Sequence, residues 1–380
     1  MFFNNKLLNF LAKAIFIFFD FLWMAKNKKI WVLAVSQNEK FDGNVRAIYE
    51  EVEKNNYDFN LKIIAKSKVH KNYNIKNGIK WGSVKHFYTL LNAGVVMYHH
   101  NAFDTGLLCL PIHGRLNYRI SHGIHFKKVE RAYKLATFKD RILSTKNIIP
   151  YHGVSSKLDA LSACSYFHVY LDNLDITGAA KNDILLSNKL TGGYRYEENK
   201  LLEKIQDKKL ITYAPTWREN GSAYLFANLE IEKLNNFLEK QGLIFGYAGH
   251  HYLKNREVPS GDNFIDLNKI GADIQIILRN TEILITDYSS VWIDFLLMDK
   301  PIIFFNYDEL KFIHNRGTLL DISSLEAGIK VSSFDRLLEV LNETNIPTSN
   351  KLTKNLFHQY SDGKNAHRTL SAIMKRSRDL

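Results

Sequence analysis

Apolar and polar positions alternate along most of the chain in two recurring patterns. Short apolar runs that end in polar turns, such as KIWVLAVS at 29–36 and VVMYHH at 95–100, predict buried β-strands. Segments with an apolar residue every three or four positions, such as GNVRAIYEEVEKN at 43–55, predict amphipathic helices. Strands that alternate with helices in this way are typical of βαβ units and a parallel sheet.

The same alternation begins again at Lys209, after a weaker stretch between 115 and 170. KLITYAPTWREN at 209–220 predicts a strand that runs into a loop, and LEIEKLNNFLEKQG at 229–242 predicts a helix closed by glycine. The stretch 274–308 predicts a helix, a strand, a second helix and a second strand. The two blocks predict two Rossmann-like α/β domains facing a cleft, with ligands beyond the carboxyl ends of the strands.

The N-terminus carries a separate apolar segment. Residues 2–24 are rich in Phe and Leu, but their uninterrupted apolar stretch, 14–19, is far shorter than the roughly 20 residues that span a bilayer. Trp23 and a basic run at 26–29 follow, without the small-residue cleavage site of a signal peptide. We predict an amphipathic helix that lies on an anionic membrane surface. A first helix packed on the protein's own body is the alternative.

The composition is that of a globular protein with a basic surface. Of 380 residues, 46% are hydrophobic and 24% charged, which excludes a disordered chain. The 51 Lys and Arg against 39 Asp and Glu give a net charge of +12, which suits nucleic acid, an anionic membrane or a phosphate-bearing substrate. Two cysteines exclude a disulfide scaffold. The chain has no HExxH, CxxC, Walker A or GxGxxG pattern, which argues against zinc peptidases, P-loop NTPases and dinucleotide enzymes.

One group of candidate residues follows predicted strands of the second block. Asp287, Ser289 and Ser290 lie between the strand ILIT at 283–286 and a helix, so a serine can cap that helix beside N–H groups that bind anions. Arg218 follows another strand and can hold a phosphate through two N–H groups. An ordinary serine N-cap without a ligand is the alternative.

A second group lies in the first block. Gly123 lets the backbone approach a ligand closely, and His122 can act as a general base near neutral pH. Lys127 can hold a phosphate as a point charge, and Lys181 adds a cation in a glycine-containing turn at 177–183. A basic, solvated loop is the alternative interpretation.

Taken in order, these motifs resemble the CDP-glycerol glycerophosphotransferase family of teichoic acid and capsule enzymes. The resemblance covers roughly residues 110–375. It rests on His122 and Gly123 with Lys127, on TGAAKND at 177–183, on YAPTWR at 213–218, on His250, on TDYSSVWIDF at 286–295 with KPIIFF at 300–305, on Arg316 and Gly317, and on DGK at 362–364 with Arg368.

The resemblance implies a glycosyltransferase B-type fold in a bacterial enzyme that is peripheral on the cytoplasmic face of the cell membrane. Together with the patterns described above, it leads to a division into a membrane-association segment (1–28), an acceptor domain (29–200), a CDP-donor domain (201–350) and a C-terminal helix (351–380). Its reaction moves glycerol phosphate, or a related polyol phosphate, from a CDP-activated donor to a hydroxyl of a polyprenol-linked saccharide or a polymer acceptor. CMP is released, and no nucleic acid takes part.

The resemblance also implies roles for individual residues. His122 is expected to be the general base for the acceptor hydroxyl, with His250 as the second catalytic histidine. Donor and phosphate binding are expected at Thr216, Arg218, Asp287, Ser289, Ser290, Arg316 and Gly317, and acceptor or phosphate positioning at Gly123, Lys127 and Lys181. No metal ligands or cofactor are assigned, and a Mg²⁺ requirement stays open. Departures from the family pattern, such as His125 in place of proline, leave the polyol and the acceptor open.

Two other functions remain open at this stage. The same fold would suit a glycosyltransferase that uses a UDP- or GDP-sugar and releases UDP or GDP. A non-catalytic basic protein that binds membranes or polyanions would use the same motifs only as capped helices, and it would bind in a salt-sensitive way.

Overall fold

The computed structural model consists of two compact α/β units. It describes residues 6–35, 41–100, 102–107, 109, 114–121, 124, 151–167, 169–216, 218, 224, 226–249, 258–259, 261–315, 317–318 and 320–379. The first unit contains the described residues up to Ile124, from Tyr151 to Asp183 and from His358 onward, and the second contains those from Ile184 to Phe357. The predicted division after residue 200 therefore falls inside a helix of the second unit, and the predicted C-terminal segment 351–380 is shared between the units.

The first unit is built on a parallel sheet. Its described strands lie in the order β3-β2-β1-β4-β5-β6-β7. They are β1 (Asn27–Ala34), β2 (Asn60–Ala65), β3 (Gly78–Lys80), β4 (Ala93–Tyr98), β5 (Leu116–Arg119), β6 (Tyr151–Val154) and β7 (Leu174–Ile176). The described helices are α1 (Lys6–Leu22), α2 (Gly43–Lys54), α3 (Ser67–Asn72), α4 (Val84–Asn92), α5 (Lys157–Phe167) and the last helix, α15 (Asn365–Arg378).

The central strands of this sheet are apolar because helices cover both of its faces. Every residue of β4 is buried, as expected for a parallel strand inside a sandwich of helices. Gly94 is the second residue of β4. A Cβ at Gly94 would stand 2.6 Å from the carbonyl oxygen of Asn27, so the close approach of β1 requires glycine here.

The second unit repeats the design with a parallel sheet in the order β10-β9-β8-β11-β12-β13. The described strands are β8 (Lys209–Ala214), β9 (Leu243–Tyr247), β10 (Phe264–Asp266), β11 (Thr281–Thr286), β12 (Ile302–Phe305) and β13 (Ile329–Val331). The described helices are α6 (Asp183–Leu186) at the junction, α7 (Gly192–Ile205), α8 (Asn228–Gln241), α9 (Leu267–Ile270), α10 (Ile274–Arg279), α11 (Val291–Phe295), α12 (Glu309–Asn315), α13 (Phe334–Leu341) and α14 (Lys351–Phe357). The predicted pair of Rossmann-like units is confirmed.

Apolar and ionic contacts hold the N-terminal helix α1 on the first unit. Phe16 is fully buried and packs edge-on against Phe87 of α4, with ring centroids 5.2 Å apart. The buried Asp20 carboxylate pairs with Arg115 at 2.5 Å and with Lys26 at 2.7 Å. Lys26 was predicted to belong to a basic run on the membrane side, but its side chain is buried. Burial lowers the pKa of its ammonium group.

The other face of α1 is exposed and apolar. Within the part of the chain that the structure describes, every helix is too short or too polar to span a bilayer. The α1 face, together with the residues just after the helix, exposes Phe10, Ile15, Phe18, Phe21, Leu22, Trp23 and Met24.

Candidate active site

Three loops of the second unit meet where neighbouring parallel strands end. β11 pairs with β8 on one side and with β12 on the other. The loop after β8 carries Thr216 and Arg218, the loop after β11 carries Asp287, and the loop after β12 carries Asp308. Because the carboxyl ends of parallel strands share one edge of the sheet, these side chains come within hydrogen-bond distance.

Asp287 holds the first two of these loops together. Its carboxylate is fully buried. Oδ1 accepts a hydrogen bond from the Thr216 amide at 2.7 Å and from the Ser289 amide at 3.2 Å, and Oδ2 accepts one from Arg218 Nη1 at 2.9 Å. The predicted donor-site residue Asp287 is therefore the acceptor that orders both loops.

Arg218 completes this link. Its Nε and Nη2 groups donate to the two carboxylate oxygens of Asp308, both at 2.8 Å, and Nη1 also donates to the Thr216 carbonyl at 2.8 Å. Burial alone would lower the pKa of the guanidinium, but the hydrogen bonds and charges of Asp308 and Asp287 outweigh burial and raise that pKa above its ordinary value. One cation with two carboxylates leaves a local net charge of −1, so the charge of Arg218 is already matched.

Aromatic rings surround the Arg218 guanidinium. Tyr288 stacks on Phe312 with ring centroids 3.8 Å apart. The guanidinium carbon lies 5.4 Å from the centre of the Tyr288 ring and 5.5 Å from that of Tyr307. Cation–π attraction over flat rings adds to the ion pairs and restricts the guanidinium to one orientation.

Among the described residues of this region, some buried hydroxyl groups have no hydrogen-bond partner. Ser290 occupies the N-cap position of α11, but its side chain does not cap the helix, contrary to the serine cap that was predicted. Among the described residues, Thr216 Oγ1 and Tyr288 Oη are buried without a hydrogen-bond partner. Ser289 and Ser290 are half-buried. The cluster thus presents hydroxyl groups, while its charges are satisfied internally.

In the first unit, a buried asparagine joins the segments that carry two predicted residues. Asn44 Nδ2 donates to the carbonyls of Ile120 at 3.0 Å and of Ser121 at 2.9 Å, directly before His122. Its Oδ1 accepts from the amide of Lys181 at 2.9 Å. Sequence analysis missed Asn44, since a lone asparagine at a helix start carries no signal of long-range contacts.

The TGAAKND and DGK motifs meet at the start of α15. Asp183 accepts hydrogen bonds from the amides of Asn365 at 2.9 Å and Ala366 at 2.8 Å, so it caps this helix from outside. A Cβ at Gly178, whose φ is +79°, would lie 2.1 Å from Asn365 Oδ1. Arg368 pairs with Asp362. These motif residues hold the last helix on the first unit.

Of the remaining predicted residues, the structure describes one and leaves the others outside the described residues. Gly317 is described: its φ is +73° and its amide donates to the Phe312 carbonyl at 3.2 Å. Asn182, next to Lys181, is fully buried, and within the described residues neither of its amide atoms has a hydrogen-bond partner. The predicted residues His122, Gly123, Lys127, His250 and Arg316 lie outside the described residues.

Asp308 is the principal residue of the Arg218–Asp287–Asp308 cluster that was not predicted from the sequence. A signal was available, because Asp308 follows β12 much as Asp287 follows β11. The described residues include no group of three or more His, Cys, Asp or Glu side chains that would hold a metal ion.

Comparison with known proteins identifies a family across nearly the whole chain. A family model described as CDP-glycerol:poly(glycerophosphate) glycerophosphotransferase matches residues 16–375. The teichoic acid ribitol-phosphate polymerase TarK of Staphylococcus aureus is 27% identical over 97% of this chain and 72% of its own length. The teichoic acid glycerol-phosphate primase of Bacillus subtilis is 24% identical over 94% of both chains. The solved structure of the wall teichoic acid polymerase TagF superposes with a TM-score of 0.75 at 19% identity, covering 99% of both chains.

Proposed function

Because this chain belongs to the CDP-glycerol:poly(glycerophosphate) glycerophosphotransferase family, we propose that it transfers a polyol phosphate from a CDP-activated donor to a hydroxyl of a teichoic acid acceptor. CMP is the second product. The observation that carries this proposal is the family match over residues 16–375, which includes both α/β units. Its relatives include a glycerol-phosphate primase and a ribitol-phosphate polymerase, so glycerol and ribitol are the two polyols to test first.

The proposed reaction is an in-line displacement at the β-phosphorus of the donor. The acceptor hydroxyl oxygen forms the new P–O bond, the bond from the β-phosphorus to the bridging oxygen breaks, and CMP leaves with that electron pair. His122 takes the hydroxyl proton as general base, and His250 assists on the donor side. In phosphoryl transfer, positioning and charge stabilisation supply most of the rate enhancement.

Hydroxyl and backbone groups of the second unit are proposed to hold the donor phosphates. Thr216 Oγ1 is buried without a partner among the described residues, and Ser289 and Ser290 are half-buried beside it in the loop that Asp287 orders. Arg316 and Gly317 are proposed to complete this donor site. Gly123, Lys127 and Lys181 are proposed to position the acceptor.

The proposed contribution of Arg218 to donor binding is mainly indirect. Its bonds to Thr216, Asp287 and Asp308 use all but one N–H of the guanidinium, and that N–H is on Nη2. Arg218 therefore fixes the loops that carry Thr216 and Ser289, and it offers the donor at most one direct hydrogen bond.

We also propose that α1 rests on an anionic membrane at the cytoplasmic face, where a polyprenol-linked or polymeric acceptor is held. Phe18 and Phe21 are each 61% exposed, and Lys28 and Lys29 follow the helix. Exposed aromatic residues beside lysines are typical of helices that lie in the interface of anionic lipid. The apolar surface continues onto α4, where Tyr88 is exposed and contacts Trp23 edge-on.

Product identity tests the proposed reaction against a sugar transferase. The purified protein is incubated with lipid-linked acceptors and, separately, with CDP-glycerol, CDP-ribitol, UDP-sugars and GDP-sugars, and the nucleotides are separated by chromatography. We expect acceptor-dependent CMP from one CDP donor. Release of UDP or GDP instead would replace polyol-phosphate transfer by sugar transfer. His122→Ala is expected to abolish CMP release and to leave the circular dichroism spectrum unchanged.

A further inference from the structure

The Asn44 amide connects three segments that the sheet does not connect directly. Asn44 lies at the start of α2, which follows β1, whereas Ser121 follows β5 and Lys181 follows β7. In the sheet, β4 separates β1 from β5, and β6 separates β5 from β7. No strand pairing therefore fixes the ends of these three loops relative to one another, and the Asn44 side chain supplies that link.

The hydrogen bonds of Asn44 use its amide fully on the donor side. Both N–H groups of Nδ2 donate, one to Ile120 and one to Ser121, and Oδ1 accepts from Lys181. An aspartate at this position would keep the bond to the Lys181 amide, but it would turn an oxygen toward two carbonyl oxygens. The contacts therefore require an amide rather than a carboxylate.

Ser121 has a backbone conformation that needs such support. Its φ is +55°, in the left-handed region that residues other than glycine seldom adopt. Conformations of this kind persist only where surrounding contacts determine them, and the Asn44 amide binds the Ser121 carbonyl directly. The residue that follows in the chain is His122.

We propose that Asn44 is a positioning residue for acceptor activation, which fixes the backbone ahead of His122 relative to the Lys181 segment. This inference rests on the proposed function, in which His122 is the general base. Asn44 is 2% exposed, so it acts through the residues it binds and not through contact with substrate. Loss of this link is expected to lower the rate of transfer without changing donor affinity, because the proposed donor site lies in the other unit.

The test compares Asn44→Asp and Asn44→Ala with a matched control, Asn55, at the C-cap of the same helix. Both variants are expected to lower kcat by about 100-fold, since a misplacement of about 1 Å costs that much. Their Kd for CDP-glycerol, measured by calorimetry, is expected to match that of the unchanged protein. Asn55→Ala removes an exposed amide that donates to the Glu51 carbonyl at 3.1 Å, and it is expected to keep full kcat.

Hydrogen–deuterium exchange separates the two Asn44 variants and does not depend on activity. The Lys181 amide is expected to exchange slowly in the unchanged protein and in Asn44→Asp, and fast in Asn44→Ala. Normal kcat in Asn44→Asp, or fast exchange of Lys181 in the unchanged protein, would overturn the inference. Full turnover in His122→Ala would instead contradict the role of His122 as general base. The exchange of the Lys181 amide would still report on its hydrogen bond to Asn44.

Discussion

Arg218 was predicted to bind donor phosphate, and in the structure its guanidinium binds two carboxylates of the protein. The motif YAPTWR predicts a cation for donor phosphate, but the guanidinium lies between the carboxylates of Asp287 and Asp308 at 2.9 and 2.8 Å. A free arginine beside a ligand and an arginine that fixes two loops have the same sequence signature. Only the strand order, which brings β8, β11 and β12 side by side, distinguishes them.

Arg218→Lys is expected to lower the free energy of unfolding by about 1–3 kcal/mol, since a lysine cannot replace the paired bonds to Asp308 and leaves buried acceptors unsatisfied. Urea denaturation measures this loss. Arg336→Lys is the matched control: Arg336 pairs with Glu339 at the surface, with both side chains more than half exposed, and the change is expected to be within about 0.5 kcal/mol. Equal stability of Arg218→Lys and the unchanged protein would contradict the loop-fixing role.

Asp183 predicts a pH dependence of stability at the start of α15. Burial raises the pKa of its carboxyl group from 3.8 to about 6, against the opposing effect of the two amides that it accepts from. Between pH 4 and 6 the unfolded chain loses this proton before the folded chain does. The Asp183 contribution to stability is therefore fully present below about pH 4, falls as the pH rises through about 6, and is constant above that.

Asp183→Asn removes this titration. The unfolding free energies of the variant and the unchanged protein are expected to diverge with pH by about 3 kcal/mol between pH 4 and 7, with the unchanged protein losing stability over that range. Chemical denaturation at five or six pH values measures both curves. Parallel curves would show that the carboxyl group titrates alike in the folded and unfolded chains.

At the scale of elements, the two faces of α1 have separate tasks. One face packs through Phe16 and Asp20, and the other exposes Phe18 and Phe21. Deletion of residues 2–24 would remove both faces together and strip the buried Arg115 of its carboxylate. Point substitutions on the outer face therefore test membrane binding more cleanly than truncation.

Replacement of Phe18 and Phe21 by serine is expected to weaken binding to anionic vesicles by about 100-fold or more, because each Phe side chain that inserts into the lipid contributes about 1.5–3 kcal/mol. Sedimentation with vesicles measures the binding, and the thermal midpoint is expected to stay unchanged. Phe16→Ala is the matched control on the inner face, where loss of the packed ring costs about 3–5 kcal/mol of stability. Unaltered sedimentation of the double variant would rule out α1 as the membrane-binding face.

Hydrophobic patterning predicted elements outside the stretch 115–170, but it did not predict the contacts between elements. The helix closed by Gly242 was predicted and is confirmed, with a left-handed φ of +62° at that glycine. The need for glycine at position 94 is not visible in the local sequence, which does not show that another strand passes 2.6 Å from its Cβ position. Asn44 was missed for the same reason, since its partners lie on loops distant in sequence.

At the scale of the whole molecule, the family motifs fall into two structural classes. YAPTWR and TDYSS form the hydroxyl-bearing cluster of the second unit, whereas TGAAKND and DGK attach the last helix to the first unit. The resemblance to the family rests on motifs of both classes alike. Separating ligand-facing residues from supporting ones requires burial and hydrogen-bond partners.

The most direct test of polyol-phosphate transfer follows the phosphorus atoms of the donor by ³¹P NMR. The protein is incubated with a CDP-polyol and a lipid-linked acceptor, and spectra are recorded over time. We predict that the diphosphate signals decline while CMP and a new acceptor-linked phosphodiester grow in equal amounts, with no phosphodiester in the absence of acceptor. Formation of CMP with free polyol phosphate and no phosphodiester, in the presence of an acceptor that a known family member uses, would contradict the transferase function.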